Sequence, residues 1–201
     1  ISGYYSWINI SITNVLILPA IFVALILGGV TIYKKHLSPI TVPIYAVIQG
    51  IFLGAISYTF NSLYDGIVIT AISYTLSILF VMLTLYRTGI IKPTENFKLG
   101  VAAGTGGIAL IYLANFVMSF FGTGLSIMDI NNASMYSIGF SLLVIVMASL
   151  NLVVDFDFIE EGSEKRAPKY MEWYGAFGLL VTLIWLYLEI LRLLAKMNSR
   201  K

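Results

Sequence analysis

The sequence predicts an all-α protein, a polytopic bundle of transmembrane helices that forms a single integral membrane domain over residues 1–201. Hydrophobic residues make up 59% of the chain and charged residues 11%, whereas a soluble domain has about 25% charged residues. The mean hydropathy is +0.90. The polar stretches between the apolar ones are too short to form a soluble domain.

Six apolar segments are long enough to cross a bilayer, because a spanning helix needs about 20 residues. The predicted helices run approximately over 12–33, 40–60, 66–86, 99–121, 133–159 and 173–194. Pro19 lies inside the first segment, where we expect a kink. Pro39 and Pro43 lie at the start of the second, where proline is tolerated. The short connections predict that consecutive helices pack as antiparallel hairpins.

The ends of the segments predict how the chain crosses the membrane. Aromatic residues cluster there, as in an interfacial belt: Tyr33, Tyr86, Tyr170, Trp173 and Tyr174. Basic residues follow the first, third and fifth segments, which places those loops in the cytoplasm. The basic C-terminal tail disagrees with this alternation. Ile1 then lies outside, and its aromatic surroundings are typical of a helix end, so we expect a further helix upstream, missing or removed.

Composition argues against several classes of function. Cysteine is absent, which excludes disulfides and thiolate chemistry. The single histidine, His36, lies in a basic loop, so no zinc-protease motif is present. The net charge of +2 is too small to suggest nucleic acid binding. The sequence contains no phosphate-binding loop and no Ser/His nucleophile pair, so we expect a protein that is not an enzyme.

Glu189 is the most informative residue, because it lies inside the last apolar segment and an intramembrane acid indicates a functional site. Asp155, near the end of the fifth segment, is its candidate partner. Two carboxylates close together at low dielectric share a proton, which would make a pH-sensitive latch and a potential cation ligand. The alternative is structural: Arg192 lies three residues after Glu189 on the same helix face and neutralises it, while Asp155 is an ordinary helix-end residue.

Two further polar residues are candidates for the lining of a pore. Gln49 lies near the middle of the second segment, where its amide needs a partner within the bundle. It either lines a pore or joins helices by hydrogen bonding. Asp157 lies two residues after Asp155 and therefore points to a different face, nearer the lipid headgroups.

Four stretches resemble the Bax inhibitor-1 family (TMBIM, YccA-like), in its bacterial branch. The matching stretches are 85–89, 148–159, 167–174 and 186–194. The resemblance covers nearly the whole chain and lacks only the family's first helix. It implies seven helices with the last one central, in a bacterial cytoplasmic membrane, and a pH-sensitive calcium leak gated by two intramembrane acids.

The resemblance extends to individual positions. The family's two acids match Asp155 and Glu189, and Lys34 or Lys35 matches a basic position that can pair with the acid. The chain departs from the family pattern in three places: it has Glu189 where aspartate is common, Val154 where tyrosine is common, and a longer charged loop at 160–169. These departures bear on the gating pH and on ion selectivity.

The sequence therefore predicts a pH-sensitive cation leak channel, with calcium as the permeant ion and no resident cofactor. The expected partners are the lipid bilayer, calcium and a membrane protein such as a protease, with no nucleic acid. The alternative is an interaction protein that modulates a membrane protease or a cell-death or stress partner. An intramembrane aspartyl protease would also use two acids, but neither acid lies in a GxGD-like segment.

Overall fold

A computed structural model of the chain describes the backbone of residues 2–3 and 10–200 and the side chains of residues 2–3 and 19–200. The described residues form six α-helices and two short 3₁₀ turns, which confirms the all-helical prediction. The helices are α1 (Ile10–Tyr33), α2 (Ser38–Leu63), α3 (Ile67–Arg87), α4 (Glu95–Phe120), α5 (Met135–Glu164) and α6 (Tyr170–Asn198).

Most helices extend beyond the apolar segments that predicted them. The helix α4 begins at Glu95, because the side chain of Thr94 caps it by accepting a hydrogen bond from the backbone N–H of Phe97. At their C-terminal ends, α5 continues to Glu164 and α6 to Asn198. Hydropathy marks only the part of a helix that lies in hydrocarbon, whereas charged helix formers extend it into the interface.

Three helices end in Schellman motifs, in which a left-handed residue lets two backbone N–H groups cap the last carbonyls. Gly89 follows α3 with a φ of 71°, and Gly122 follows α4 with a φ of 74°. After α5, Arg166 takes this position with a φ of 50°. There the Ala167 N–H donates to the Gly162 carbonyl at 2.9 Å, and Pro168 then prevents the helix from continuing.

Five helices, α2 to α6, are long and apolar enough to cross a membrane. The part of α1 whose side chains are described, Pro19–Tyr33, is also apolar, and its role as a sixth span stays a prediction. Large apolar side chains such as Phe22, Phe80 and Phe116 point outward. Exposed apolar side chains in such number suit lipid as a solvent, so the chain is an integral membrane protein.

The chain divides by its internal contacts into two compact units. The first unit comprises Ile1–Val68 and Phe158–Leu180, and its core includes Ala24, Val42 and a perpendicular contact between the rings of Tyr45 and Phe177. The second unit comprises Ile69–Asp157 and Val181–Lys201. The single-domain organisation stays a prediction.

Within the second unit, α4 and α5 pack through a small residue and an amide. Gly104 of α4 lies directly against the side chain of Met147, whose terminal methyl group would have to move to admit a larger residue. One turn later on α5, the amide of Asn151 donates to the Thr105 hydroxyl at 2.7 Å. Small residues permit close approach of membrane helices, and polar side chains then join them.

The most apolar stretch of α6 has a larger share of buried residues than that of any of the other four candidate spans. Burial of this kind is what a central helix requires. The seven-helix bundle with this helix at its centre stays a prediction.

Candidate functional site: a polar seam along the last helix

Polar residues lie along one face of α6 within the second unit: Thr182, Glu189, Arg192 and Lys196. Their spacings of seven, three and four residues place them on one face, since a helix repeats every 3.6 residues. We call these four residues and the polar groups that contact them the polar seam. The rest of the buried surface of this face is apolar, for example Leu186 and Ile190.

Glu189 lies at the middle of the polar seam and is 1% exposed, which confirms that it faces protein rather than lipid. Its Oε2 accepts a hydrogen bond from the Tyr112 hydroxyl at 2.7 Å and one from Arg192 Nη1 at 2.5 Å. Arg192 Nη1 also lies 3.1 Å from the Tyr112 oxygen. The carboxylate, guanidinium and phenol thus form a closed triangle between α4 and α6.

Asp155 enters the polar seam from α5, where its carboxylate interacts with the buried Thr182 hydroxyl. One oxygen of each acid, Asp155 Oδ2 and Glu189 Oε1, is buried without a hydrogen-bond donor. A buried carboxylate oxygen requires a donor or a charge to offset its desolvation. Each acid can therefore take up one proton, water molecule or cation.

The two acids have separate partners and do not hydrogen-bond to each other. Thr182, the partner of Asp155, lies seven residues before Glu189, or about 10 Å along the helix axis. A direct contact between the two carboxylates stays a prediction. The sequence could not show where along α6 Asp155 lies, because that position depends on where α5 crosses α6. That the acids act as pore and pH-sensing groups stays a prediction.

Three basic residues are candidate partners for the acids. One of them, Arg192, forms an ion pair with Glu189, as the structural alternative predicts. Lys34 and Lys35 are exposed after the end of α1, in the first unit. The Lys35 ammonium lies 4.9 Å from the centre of the Tyr174 ring, in a cation–π contact. A gating role for either lysine stays a prediction.

The two pore-lining candidates each have a polar partner. Gln49 is half-buried and donates to the Tyr45 hydroxyl at 2.8 Å, one turn earlier on its own helix. Asp157 forms an ion pair with Lys98, their atoms 2.7 Å apart, which joins α5 to the start of α4. Neither arrangement tests a role in a pore, so both assignments stay predictions.

Lys196 belongs to the basic C-terminal tail of the sequence and is a further functional candidate. Its side chain is 0% exposed. Its ammonium donates to the Ile127 carbonyl at 2.9 Å, the Ser137 carbonyl at 3.2 Å and the Ser141 hydroxyl at 3.0 Å. The available sequence signal was its position seven residues after Glu189, which puts both on one face.

A cavity of about 430 Å³ lies beside the loop between α4 and α5. It is lined by Asn115, Ser119, Gly124, Leu125, Ser126, Met128 and Asp129. The Asn115 side chain fixes the start of the loop by accepting from the Leu125 N–H at 2.8 Å. Ile127, whose carbonyl holds Lys196, lies between two residues that line the cavity. The cavity is thus next to the Lys196 end of the polar seam.

A resident metal ion would need more acidic ligands than this seam offers. Within the described part of the chain, no group of three or more His, Asp or Glu side chains could hold one. Asp155 and Glu189 each interact with other residues: Thr182 for Asp155, and Tyr112 and Arg192 for Glu189.

Comparison with known proteins agrees with this architecture. Residues 1–199 match the model of a protein family described as Bax inhibitor 1 like. Searches of curated proteins and of solved structures found no match. Because the family model covers nearly all of the 201 residues, the chain belongs to the Bax inhibitor 1-like family.

Proposed function

We propose that this membrane protein is a pH-sensitive cation leak, with calcium as its principal cargo, in which Asp155 and Glu189 contact the passing ion. The observation that supports this most directly is the pair of buried carboxylate oxygens without donors. They lie on a polar seam in an otherwise apolar bundle. Burying an acid there costs free energy, so its presence indicates a function. Membership of the Bax inhibitor 1-like family agrees with such a role.

The length of the polar seam supports passage rather than a local contact. From Thr182 to Lys196 is fourteen residues of α6, or about 21 Å of the roughly 30 Å thickness of the hydrocarbon core. Oxygen atoms are the ligands that calcium prefers. Such atoms follow one another along the seam: first those of Asp155, then those of Glu189 and Tyr112, and then that of Ser141. An ion would pass from one to the next, each holding it weakly.

Glu189 is also the point at which passage can be controlled. Its Oε2 is bound to Arg192 and Tyr112, whereas its Oε1 is without a donor. A cation at Glu189 competes with the Arg192 guanidinium, and a proton on the carboxylate removes the charge that attracts both. Protonation of either acid therefore changes the energy of an ion in the seam, so the flux depends on pH.

The test is calcium flux through purified protein in liposomes, measured across a pH series. Wild type is compared with Asp155→Asn and Glu189→Gln, which keep the side-chain shape but remove the titrating group. We expect a pH-dependent flux in wild type and a flatter profile in each variant. The matched control is Glu164→Gln, because Glu164 is exposed at the end of α5. Its profile should equal that of wild type.

Two results would contradict the proposal. The first is the absence of flux from folded wild-type protein at every pH. The second is an unchanged pH profile in both acid variants. Either would leave the acids a structural role and favour the alternative, a protein that modulates a membrane partner.

A further inference from the structure

Lys196 has an unusual environment for a lysine in a membrane helix. Its ammonium group donates to two backbone carbonyls and one serine hydroxyl, at 2.9, 3.2 and 3.0 Å. A lysine ammonium has three donors, so all three are satisfied. All three acceptors are neutral, and no carboxylate contacts this cation in the part of the chain that the structure describes. The site therefore solvates a positive charge with oxygen dipoles alone.

Dipolar oxygens that surround a positive centre are the same groups that channels use to replace the hydration shell of a cation. The oxygens of Ile127, Ser137 and Ser141 are held by the loop and by α5, not by α6. They are therefore a preformed feature to which Lys196 contributes only the cation. Replacing Lys196 by alanine would vacate the volume of three methylene groups and the ammonium group, with these oxygens at its far end.

The position of this group along the polar seam matters as much as its chemistry. The Lys196 ammonium lies between the loop cavity and the Glu189–Arg192 triangle, one turn beyond Arg192. The charges that act on it are the carboxylates of Glu189 and Asp129, which attract it, and the guanidinium of Arg192, which repels it. Asp129 is exposed at the cavity, where it raises the local concentration of cations.

We propose that Lys196 fills, with its own ammonium group, a cation position at the loop end of the polar seam, and so limits entry of ions from the cavity. The inference rests on the proposed leak. In that leak Lys196 determines the size of the ion flux and its selectivity. A fixed positive charge there repels the next cation, and a divalent ion most strongly. Neutralising the charge opens this end of the seam.

The flux test uses two variants, Lys196→Ala, which empties the oxygen-lined position, and Lys196→Gln, which keeps donors for two of the three oxygens. We expect a several-fold increase in calcium flux in liposomes from either one. In Lys196→Ala, added ammonium ion should bring the flux back towards the wild-type level. Lys165→Ala is the control, since Lys165 is exposed in the loop after α5, and its flux should not change.

A binding measurement separates this inference from the proposed function. Ammonium chloride should raise the Tm of Lys196→Ala in detergent by a few degrees, because a ligand that binds only the folded state stabilises it. Tetramethylammonium chloride, which has no N–H to donate to these oxygens, should not, and wild type should respond to neither. This result can be obtained even if wild type conducts no calcium, in which case the cation position stands and the leak does not.

The inference is overturned by either of two results. The first is a folded Lys196→Ala or Lys196→Gln protein with flux equal to or below that of wild type, while wild type itself conducts. The second is an identical response of the Tm to ammonium and tetramethylammonium ions in Lys196→Ala. If Lys196→Ala does not fold, Lys196→Gln alone decides the flux question.

Discussion

At the scale of single residues, the candidate site depends on how each buried charge is offset. Glu189 Oε2 accepts hydrogen bonds from both Arg192 and Tyr112. Two buried oxygens have no donor: Glu189 Oε1 and Asp155 Oδ2. The sequence identified Asp155, Glu189 and Arg192, because a charge in an apolar run stands out. It did not identify Tyr112 or the burial of Lys196, since both depend on which helix faces α6.

The Tyr112 hydroxyl should contribute measurably to stability. Tyr112→Phe removes the donor to Glu189 Oε2 and leaves that buried oxygen with Arg192 alone. We expect a loss of about 1–2 kcal/mol in the free energy of unfolding, because the hydrogen bond is to a charged acceptor. Denaturant unfolding in detergent measures it. Tyr136→Phe is the control, since Tyr136 is 87% exposed; an equal loss in both would refute the assignment.

Arg192 should stabilise the fold chiefly by neutralising Glu189. Arg192→Gln leaves a buried carboxylate without its cation. Because the Arg192 side chain is 28% exposed, water partly screens the pair. We therefore expect the free energy of unfolding to fall by about 1–3 kcal/mol. The double variant Arg192→Gln with Glu189→Gln should recover part of this loss. Additive losses in the double-mutant cycle would show that the two residues are not coupled.

At the scale of elements, sequence predicted the existence of the helices well and their ends less well. Apolar length alone indicated six helices, and the described residues form six. The ends depend on local chemistry that hydropathy does not report, such as the Thr94 cap and the left-handed Arg166. The contact between α4 and α5 through Thr105 and Asn151 was also beyond the sequence, because helix rotation is set by packing.

The hydrogen bond between α4 and α5 offers a test of their packing. Thr105→Val keeps the side-chain shape but removes the acceptor of the Asn151 amide. We expect a loss of about 0.6 kcal/mol in stability, the average for such bonds between membrane helices. Thr84→Val is the control, because Thr84 is exposed and bonds only to its own helix. A larger loss in Thr84→Val than in Thr105→Val would contradict the packing described.

At the scale of the whole molecule, the protein combines a lipid-facing apolar surface with a polar seam inside one of its compact units. In a water-filled pathway the seam would be reached by small hydrophilic reagents, whereas the lipid-facing surface would not. The natural sequence has no cysteine, so single cysteines can be introduced without a background. This makes accessibility of the seam directly measurable.

Ser141 and Leu142 are adjacent residues suited to that measurement. Ser141 contacts Lys196 in the seam, while Leu142 is 50% exposed on the apolar surface. We expect a small, neutral, water-soluble thiol reagent to modify Ser141→Cys in liposomes much faster than Leu142→Cys, because the thiolate that reacts forms only where water is present. Equal rates, or faster modification of Leu142→Cys, would contradict a hydrated seam.

The central claim is that Asp155 and Glu189 together provide the path of the ion. The most direct measurement is the initial rate of calcium entry into liposomes that contain wild type or the Asp155→Asn, Glu189→Gln double variant, at one pH and equal protein density. We predict that wild type conducts well above protein-free liposomes and that the double variant falls to near that baseline while it remains folded. A folded double variant that conducts calcium as fast as wild type would contradict the account.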